Sequence, residues 1–340
     1  MTPILVVGSR EARQLLPMDA CIPAMREALV SLAHGEVVLP LRPVIRVPDG
    51  RGALYVMPAW VTRPESLAVK LVTLFPGNAG SGRETHQGVV VLFGKHGEVR
   101  ALVDAGALTA IRTAAVSAVA TDALAVTGAA DLAILGSGVQ AASHLDAMRA
   151  VRPIERVRVW SRNAAHAHAF ATAVHGRSGL VIEVCASPRD AVTGADIICT
   201  VTGAAEPVLE GRWIRAGAHI NAVGASTPDA RELDSDAIAN AEVWVDARTA
   251  AFAEAGDILI PLGEARITKA HVRGELGEVL AGMVPGRSSD AAITVFKSLG
   301  LAVEDAVAAQ LIAERAVASG AARTIDLDDE TETGSRTFAE

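Results

Sequence analysis

Residues 131–141 read Asp131-Leu-Ala-Ile-Leu-Gly136-Ser-Gly138-Val-Gln-Ala141, an apolar strand running into Gly-x-Gly-x-x-Ala with a helical stretch behind it. This is the pattern of a dinucleotide-binding turn. Gly136 permits the tight turn, Gly138 lets the backbone approach a pyrophosphate, and Ala141 lets helix pack closely on strand. The helix N-terminus then faces the phosphates. On its own the pattern is weak, but its context is right, because a second strand, Arg156-Val-Arg-Val-Trp160, follows at the expected distance. That strand ends in Ser161-Arg162-Asn163, where an NAD site usually carries an acid for the ribose 2′-hydroxyl. A cation there suits a 2′-phosphate, so the segment reads as NADP(H)-binding. The alternative is a surface arginine after a strand.

Outward from this turn the chain keeps a strand–helix–strand rhythm. Strands are expected near 131–135, 156–160, 181–185, 196–202, 218–223 and 242–246. The alternation implies a parallel sheet covered on both faces, so the fold class is α/β with a Rossmann-type doubly wound parallel sheet. Its strand ends carry Thr200 and Thr202, which either line the cofactor or are ordinary strand threonines, and Val223–Ser226. Residues 1–115 form a second, mixed α/β region. A helix is expected over 18–34, then strands near 43–48, 53–58, 67–74, 88–93 and 98–103, and an Ala-rich helix over 107–124. Residues 76–84 read as a flexible loop, 298–319 as a long helix, and 326–340, acidic and polar, as a disordered tail.

Composition narrows the function. The chain has 340 residues, room for two domains, and half are apolar, so a sizeable core is available. A net charge of −8 and the lack of an aromatic cluster argue against nucleic acid. No apolar run reaches the ~18 residues of a membrane span, and the N-terminus lacks the pattern of a signal peptide. Cys21, Cys185 and Cys199 show no paired spacing and fit a reducing cytoplasm without a structural metal; the last two read as core residues. His166 and His168 read as solvated helix residues.

The first region carries cations on apolar elements. Arg42 and Arg46 flank Pro43-Val-Ile, Lys70 interrupts Leu67-Ala-Val-Lys-Leu-Val-Thr-Leu74, and Arg112 interrupts the Ala-rich helix. A buried cation is costly unless paired or bound to an anion. With no obvious carboxylates beside them, the set suggests a pocket for a small carboxylate, which arginine grips through two hydrogen bonds. Taken singly, each is more often a surface residue or a salt-bridge partner. A nicotinamide carries hydride chemistry itself, so few protein groups are needed.

Several long strings then make the chain recognisable: Val56-Met-Pro-Ala59, Lys70-Leu-Val-Thr73, Arg112-Thr-Ala-Ala-Val-Ser-Ala118, Leu135–Ala141, Ala216–Ser226, Arg231-Glu-Leu-Asp234, Val295-Phe-Lys-Ser-Leu-Gly300 and Ala302-Val-Glu-Asp305. Over nearly its whole length the chain resembles the ornithine cyclodeaminase/mu-crystallin family, and within it the ketimine reductase branch. The resemblance implies a substrate-binding and dimerisation domain (1–115 with 305–325), a Rossmann domain (116–304), a site in the cleft between them, and a cytoplasmic homodimer. It implies roles for Arg42, Lys70 and Arg112 at the substrate carboxylate and the cofactor. It also implies cofactor contacts for Gly138, Val139, Gln140, Ser161, Arg162, Asn163, Thr202, Val223 and Ser298, which join Gly136 from the turn and Thr200 from the strand end as cofactor candidates. Ser226, Glu254 and Leu299 fall in the substrate set, and His86 near the ligand among the catalytic candidates.

One departure is informative. Ornithine cyclodeaminases carry an aspartate after a Val-Gly-Gly segment, whereas this chain has Ser226 after Val223-Gly-Ala225, with Asp229 in a different register. Serine cannot serve as the carboxylate base, but a reductase whose substrate already holds its C=N bond does not need one. The resemblance therefore points to NADPH-dependent reduction of a small cyclic imino acid, Δ1-pyrroline-2-carboxylate or Δ1-piperideine-2-carboxylate. The alternatives are ornithine cyclodeamination with NAD recycled, reductive amination of a 2-oxo acid, and NADPH-dependent ligand binding without catalysis.

Overall fold

The computed structural model describes residues 3–78, 81–320 and 323–326. Two sheets organise it. The first contains β1 (Ile4–Val7), β2 (Val37–Val38), β3 (Val44–Arg46), β4 (Ala53–Thr62), β5 (Glu65–Leu74), β6 (His86–Phe93), β7 (Val99–Asp104) and, from the far end of the chain, β16 (Arg323–Ile325). Its order is β16-β1-β7-β6-β5-β4-β2, with β3 also paired to β4. Strands β4 to β7 form an antiparallel meander.

The second sheet contains β8 (Asp131–Leu135), β9 (Arg156–Trp160), β10 (Glu183–Val184), β11 (Ile197–Thr200), β12 (His219–Ala222), β13 (Glu242–Val245), β14 (Val272–Glu275) and β15 (Thr294–Lys297). The order is β10-β9-β8-β11-β12-β15-β13-β14, and every pairing is parallel. Alternate residues of β8 enter different cores, Ala133 and Leu135 on one face, Leu132 and Ile134 on the other. That is why these strands read as continuous apolar runs. The strand order reverses at β8, so the Gly136 turn lies at the switch point where open α/β sheets bind ligands.

Two helices join the sheets. Helix Ala105–Leu124 starts where Asp104 accepts a hydrogen bond from the Ala107 backbone at 2.7 Å. Its alanines let both the first sheet and the helix Val139–Val151 approach. This helix is long and apolar enough on average to cross a membrane, but Arg112 and Asp122 interrupt it and its 18-residue window is 83% buried inside the fold. Helix Ala302–Ser319 packs on the inner face of β4–β6, where Ser66 Oγ donates to the Ala306 carbonyl at 3.1 Å. The outer face of the same strands carries Trp60, Leu67 and Phe93 in direct register, with Trp60 37% and Leu67 42% exposed.

Several expectations need correction. The long helix begins at Ala302, not 298, and residues 298–301 are a buried connection. Strands β1, β2, β14, β15 and β16 were not expected; each is four residues or shorter, too brief to show periodicity. Within the expected loop, Pro76–Asn78 forms a 3₁₀ turn, and residues 79 and 80 lie outside the described residues. Of the expected tail, only Asp326 is described. Cys199 is buried, but Cys185 is half-buried at the edge of the sheet.

Candidate active site

A cleft opens where the two sheets meet, lined by Arg42, Met57, Glu254, Leu299 and Gly300 among others. Arg42 reaches in from the connection before β3, and Glu254 ends the helix Arg248–Glu254 that follows β13. They form an ion pair at 2.5 Å across the cleft. The Arg42 guanidinium also lies 3.4 Å from the Ser226 carbonyl oxygen and 5.7 Å from the centre of the Tyr55 ring. Glu254 thus occupies the cation that the sequence assigns to a substrate carboxylate.

Beneath Gly300 and Met57 lies a cluster of four charges. Lys70 on β5 is directly opposite Met57, and its Nζ is 2.7 Å from Asp305 Oδ2. Arg112 Nε donates to Asp305 Oδ1 at 2.9 Å, and its Nη1 donates to Glu304 Oε2 at 2.6 Å. All four side chains are buried. The expectation that these cations lack adjacent carboxylates is therefore wrong. Their partners stand about two hundred residues or more away, in the first turn of helix Ala302–Ser319, where the helix dipole favours anions. Burial draws the Lys70 ammonium down to about 8 despite Asp305, and burial raises Glu304 to about 7 despite Arg112. Both groups are thereby poised near neutrality, the range that proton transfer requires.

His86 opens β6 opposite Leu74, on the same sheet face as Lys70. Partial desolvation, and then the Lys70 charge, hold its imidazole below the ordinary value. Ser226 is exposed, and it enters the site through its carbonyl rather than its hydroxyl. Asp229 is exposed on the same loop.

The residues of the dinucleotide turn fit a nicotinamide dinucleotide. Gly136 has φ +125°, and a side chain there would press on the Val201 carbonyl at 2.8 Å. Gly138 caps helix Val139–Val151 without a side-chain bond, and space is open where its Cβ would stand. The first amides of that helix are thus presented to an anion. Exposed Val139 and half-buried Gln140, whose buried Oε1 has no partner among the described residues, flank this cradle. At the end of β9, Arg162 is exposed and forms no ion pair among the described residues. Asn163 caps the next helix by accepting from the Ala165 backbone at 3.0 Å. Thr202 and Val223 are half-buried at their strand ends. Ser298 is buried with an unpartnered Oγ. Thr200 corrects the sequence reading: it is fully buried, and its hydroxyl donates to Glu232 at 2.8 Å instead of lining the cradle.

Sequence reasoning did not single out Glu304 and Asp305, although two adjacent acids among the apolar residues 301–309 call for cations by the same logic applied to Lys70. It also passed over Asp246, whose carboxylate accepts the Leu299 and Gly300 amides at 2.5 and 2.9 Å and so fixes the floor of the cleft. Among the described residues no cluster of metal-ligating side chains is present.

Known proteins share this fold. Residues 5–320 match the model of the ornithine cyclodeaminase/mu-crystallin family. The ketimine reductase mu-crystallin of Mus musculus is 44% identical over 295 residues, 86% of this chain and 90% of its own length. The Δ1-pyrroline-2-carboxylate reductase of Thermococcus litoralis, solved with NADH and L-proline, superposes with a TM-score of 0.92 at 37% identity, covering 95% of this chain and all of its own. An archaeal alanine dehydrogenase dimer with bound NAD superposes with a TM-score of 0.90 at 29% identity, over 96% of this chain and all of its own. With a family match spanning nearly every residue and a relative this similar, the chain belongs to the ornithine cyclodeaminase/mu-crystallin family.

Proposed function

We propose that this chain reduces cyclic ketimine carboxylates with NADPH, converting Δ1-pyrroline-2-carboxylate to proline and Δ1-piperideine-2-carboxylate to pipecolate. The enzyme is an NAD(P)H-dependent oxidoreductase. The observation that carries the finer reading is the line of cations that starts in the cleft: Arg42 at its wall, and, buried below Met57 and Gly300, Lys70 and Arg112 with their carboxylate partners. A small zwitterion with one carboxylate suits that line.

When bound, the reduced nicotinamide supplies a hydride to the imine carbon. The chain does the rest. Arg42 exchanges Glu254 for the substrate carboxylate, a swap of one anion for another that leaves no cation unpaired. Lys70, still largely protonated at neutral pH, donates the proton that the imine nitrogen needs to become a good acceptor. Asp305 holds the Lys70 ammonium in place, and Arg112 pairs with both Asp305 and Glu304 beside it. No group must abstract a proton from substrate carbon, so Ser226 in place of an acid is no handicap. The gap in carboxylates after β9, filled by exposed Arg162, supports NADPH over NADH.

The same reading keeps residues 1–115 with 305–325 as the substrate-binding and dimerisation unit, and 116–304 as the dinucleotide unit. It joins two copies through the outer face of β4–β6, whose exposed Trp60 and Leu67 form an apolar patch that a second copy covers.

Steady-state kinetics of Arg42→Ala test the assignment. The expected result is a KM for the imine raised on the order of a hundredfold, the scale of a lost charge-assisted pair, with dinucleotide affinity unchanged. Unaltered kinetics would remove Arg42 from the substrate site. Ammonia release from ornithine with NAD, without net cofactor turnover, would replace reductase by cyclodeaminase.

A further inference from the structure

We propose that Lys297, Asp257 and Glu232 are positioning residues that lock the loops after β11 and β12 at a fixed height against the dinucleotide cradle. They set the geometry of hydride transfer rather than the binding of either reactant; this rests on the reductase reading above. None of the three belongs to the line of cations or to the dinucleotide turn.

All three side chains are fully buried. Lys297, the last residue of β15, places Nζ 2.9 Å from Asp257 Oδ2 and 2.5 Å from the Ala225 carbonyl oxygen. Asp257, in the first turn of helix Gly256–Gly263, accepts the amides of Glu232 and Leu233 through Oδ1 at 2.8 and 3.0 Å. Glu232 then ties two strand ends together. Its Oε1 accepts from the Thr202 amide at 2.6 Å and the Thr202 hydroxyl at 2.7 Å; its Oε2 accepts from the Gly224 amide at 2.6 Å and the Thr200 hydroxyl at 2.8 Å. One backbone N–H and one threonine hydroxyl on each oxygen fix the orientation of the Glu232 carboxyl, although burial and the neighbouring Asp257 push its pKa up.

A core that only needed filling would use apolar side chains here, because buried charges are costly and apolar replacements of similar volume are often neutral or better. What the charges achieve is placement. The bonds of Glu232 and the Lys297 bond to Ala225 end at or just beyond the last residues of β11 and β12, the edge where this sheet class binds ligands. Gly224 is pressed so closely that a side chain on it would overlap the Thr202 carbonyl and the Glu232 carboxylate. The loop held this way runs on to Ser226, whose carbonyl faces Arg42. One rigid segment therefore spans from the expected cofactor contacts, Thr202 and Val223, to the substrate cation. A shift in it changes the distance between the two reactants, and an error near 1 Å costs on the order of a hundredfold in rate.

The test is Glu232→Gln, which keeps the volume but turns an amide N–H₂ against the Thr202 or Gly224 N–H. Hydrogen exchange of the unliganded protein is expected to be about tenfold faster in peptides spanning 201–204 and 222–226, with the β8 peptide unchanged. In the same variant kcat is expected to fall on the order of tenfold to a hundredfold, with imine KM and dinucleotide Kd within about twofold. Thr200→Val, which removes one hydroxyl and no charge, serves if Glu232→Gln does not fold, and is expected to move the same readouts in the same direction by about threefold. Unchanged exchange at both segments, or a rise in KM or Kd with kcat intact, overturns the proposal. A wild-type chain inert toward both imines overturns the reductase reading instead, and the exchange result then decides the positioning claim by itself.

Discussion

Gly300→Ala gives a test whose size follows from the geometry. Gly300 has φ +76°, a conformation that costs an alanine about 1–2 kcal/mol. The added Cβ would stand 2.5 Å from Arg112 Nη1, 2.8 Å from Nη2 and 3.1 Å from Cζ. A flexible surface arginine would swing aside at little cost. Arg112 cannot, because Glu304 holds Nη1 at 2.6 Å and Asp305 holds Nε at 2.9 Å, all in the core. Moving the guanidinium breaks a buried pair, worth about 3–5 kcal/mol. Partial relaxation leaves an expected loss of about 3 kcal/mol or more in urea unfolding followed by tryptophan fluorescence. Gly138→Ala is the control. Its φ is −87° and nothing lies within 4 Å of the new Cβ, so its stability cost is about 1 kcal/mol or less. Its damage appears in dinucleotide affinity, because the methyl group fills the space in front of the helix amides. If Gly300→Ala unfolds like Gly138→Ala, Arg112 does not occupy the place beneath Gly300 and the buried four-charge cluster is misassigned.

Three further outcomes are expected. Asp305→Asn removes the anion that raises the Lys70 pKa. A proton donor works below its pKa, so the alkaline limb of kcat/KM, expected near 8 for the wild type, should move to lower pH in the variant; a limb that stays put excludes Lys70 as donor. Arg162→Ala is expected to cut the preference for NADPH over NADH on the order of tenfold, and a variant that keeps full preference ends the argument for the 2′-phosphate. Leu67→Glu places a charge at the centre of the apolar outer face and is expected to turn a dimer into a monomer in sedimentation equilibrium, whereas a wild-type monomer would refute the interface.

What the sequence revealed was local. The Gly136–Ala141 turn, the apolar runs of β8 and β9 and the two long helices are written in contiguous residues, so spacing alone exposes them. The partners of Lys70 and Arg112 are not local. Glu304 and Asp305 meet them only because helix Ala302–Ser319 returns to β5, and nothing in the spacing of either segment encodes that return. Thr200 and Thr202 look alike in sequence, two residues apart. The fold separates them, because strand β11 ends at Thr200, inside the sheet, and Thr202 lies beyond it. The short strands β14 and β15 escaped notice because Val-Arg-Gly-Glu and Thr-Val-Phe-Lys hold too few apolar residues in sequence to mark a buried strand. Lys297 illustrates the same limit. Its sequence neighbours hold no acid close by, and only the fold brings Asp257 to it.

The central claim is tested most directly by initial rates of reduced-nicotinamide consumption with Δ1-pyrroline-2-carboxylate and Δ1-piperideine-2-carboxylate, run in parallel with NADPH and NADH. Saturable turnover of at least one ring with NADPH preferred, and a stoichiometric cyclic amino acid as product, is the expected result. Saturable NADPH binding with no turnover of either ring would contradict it.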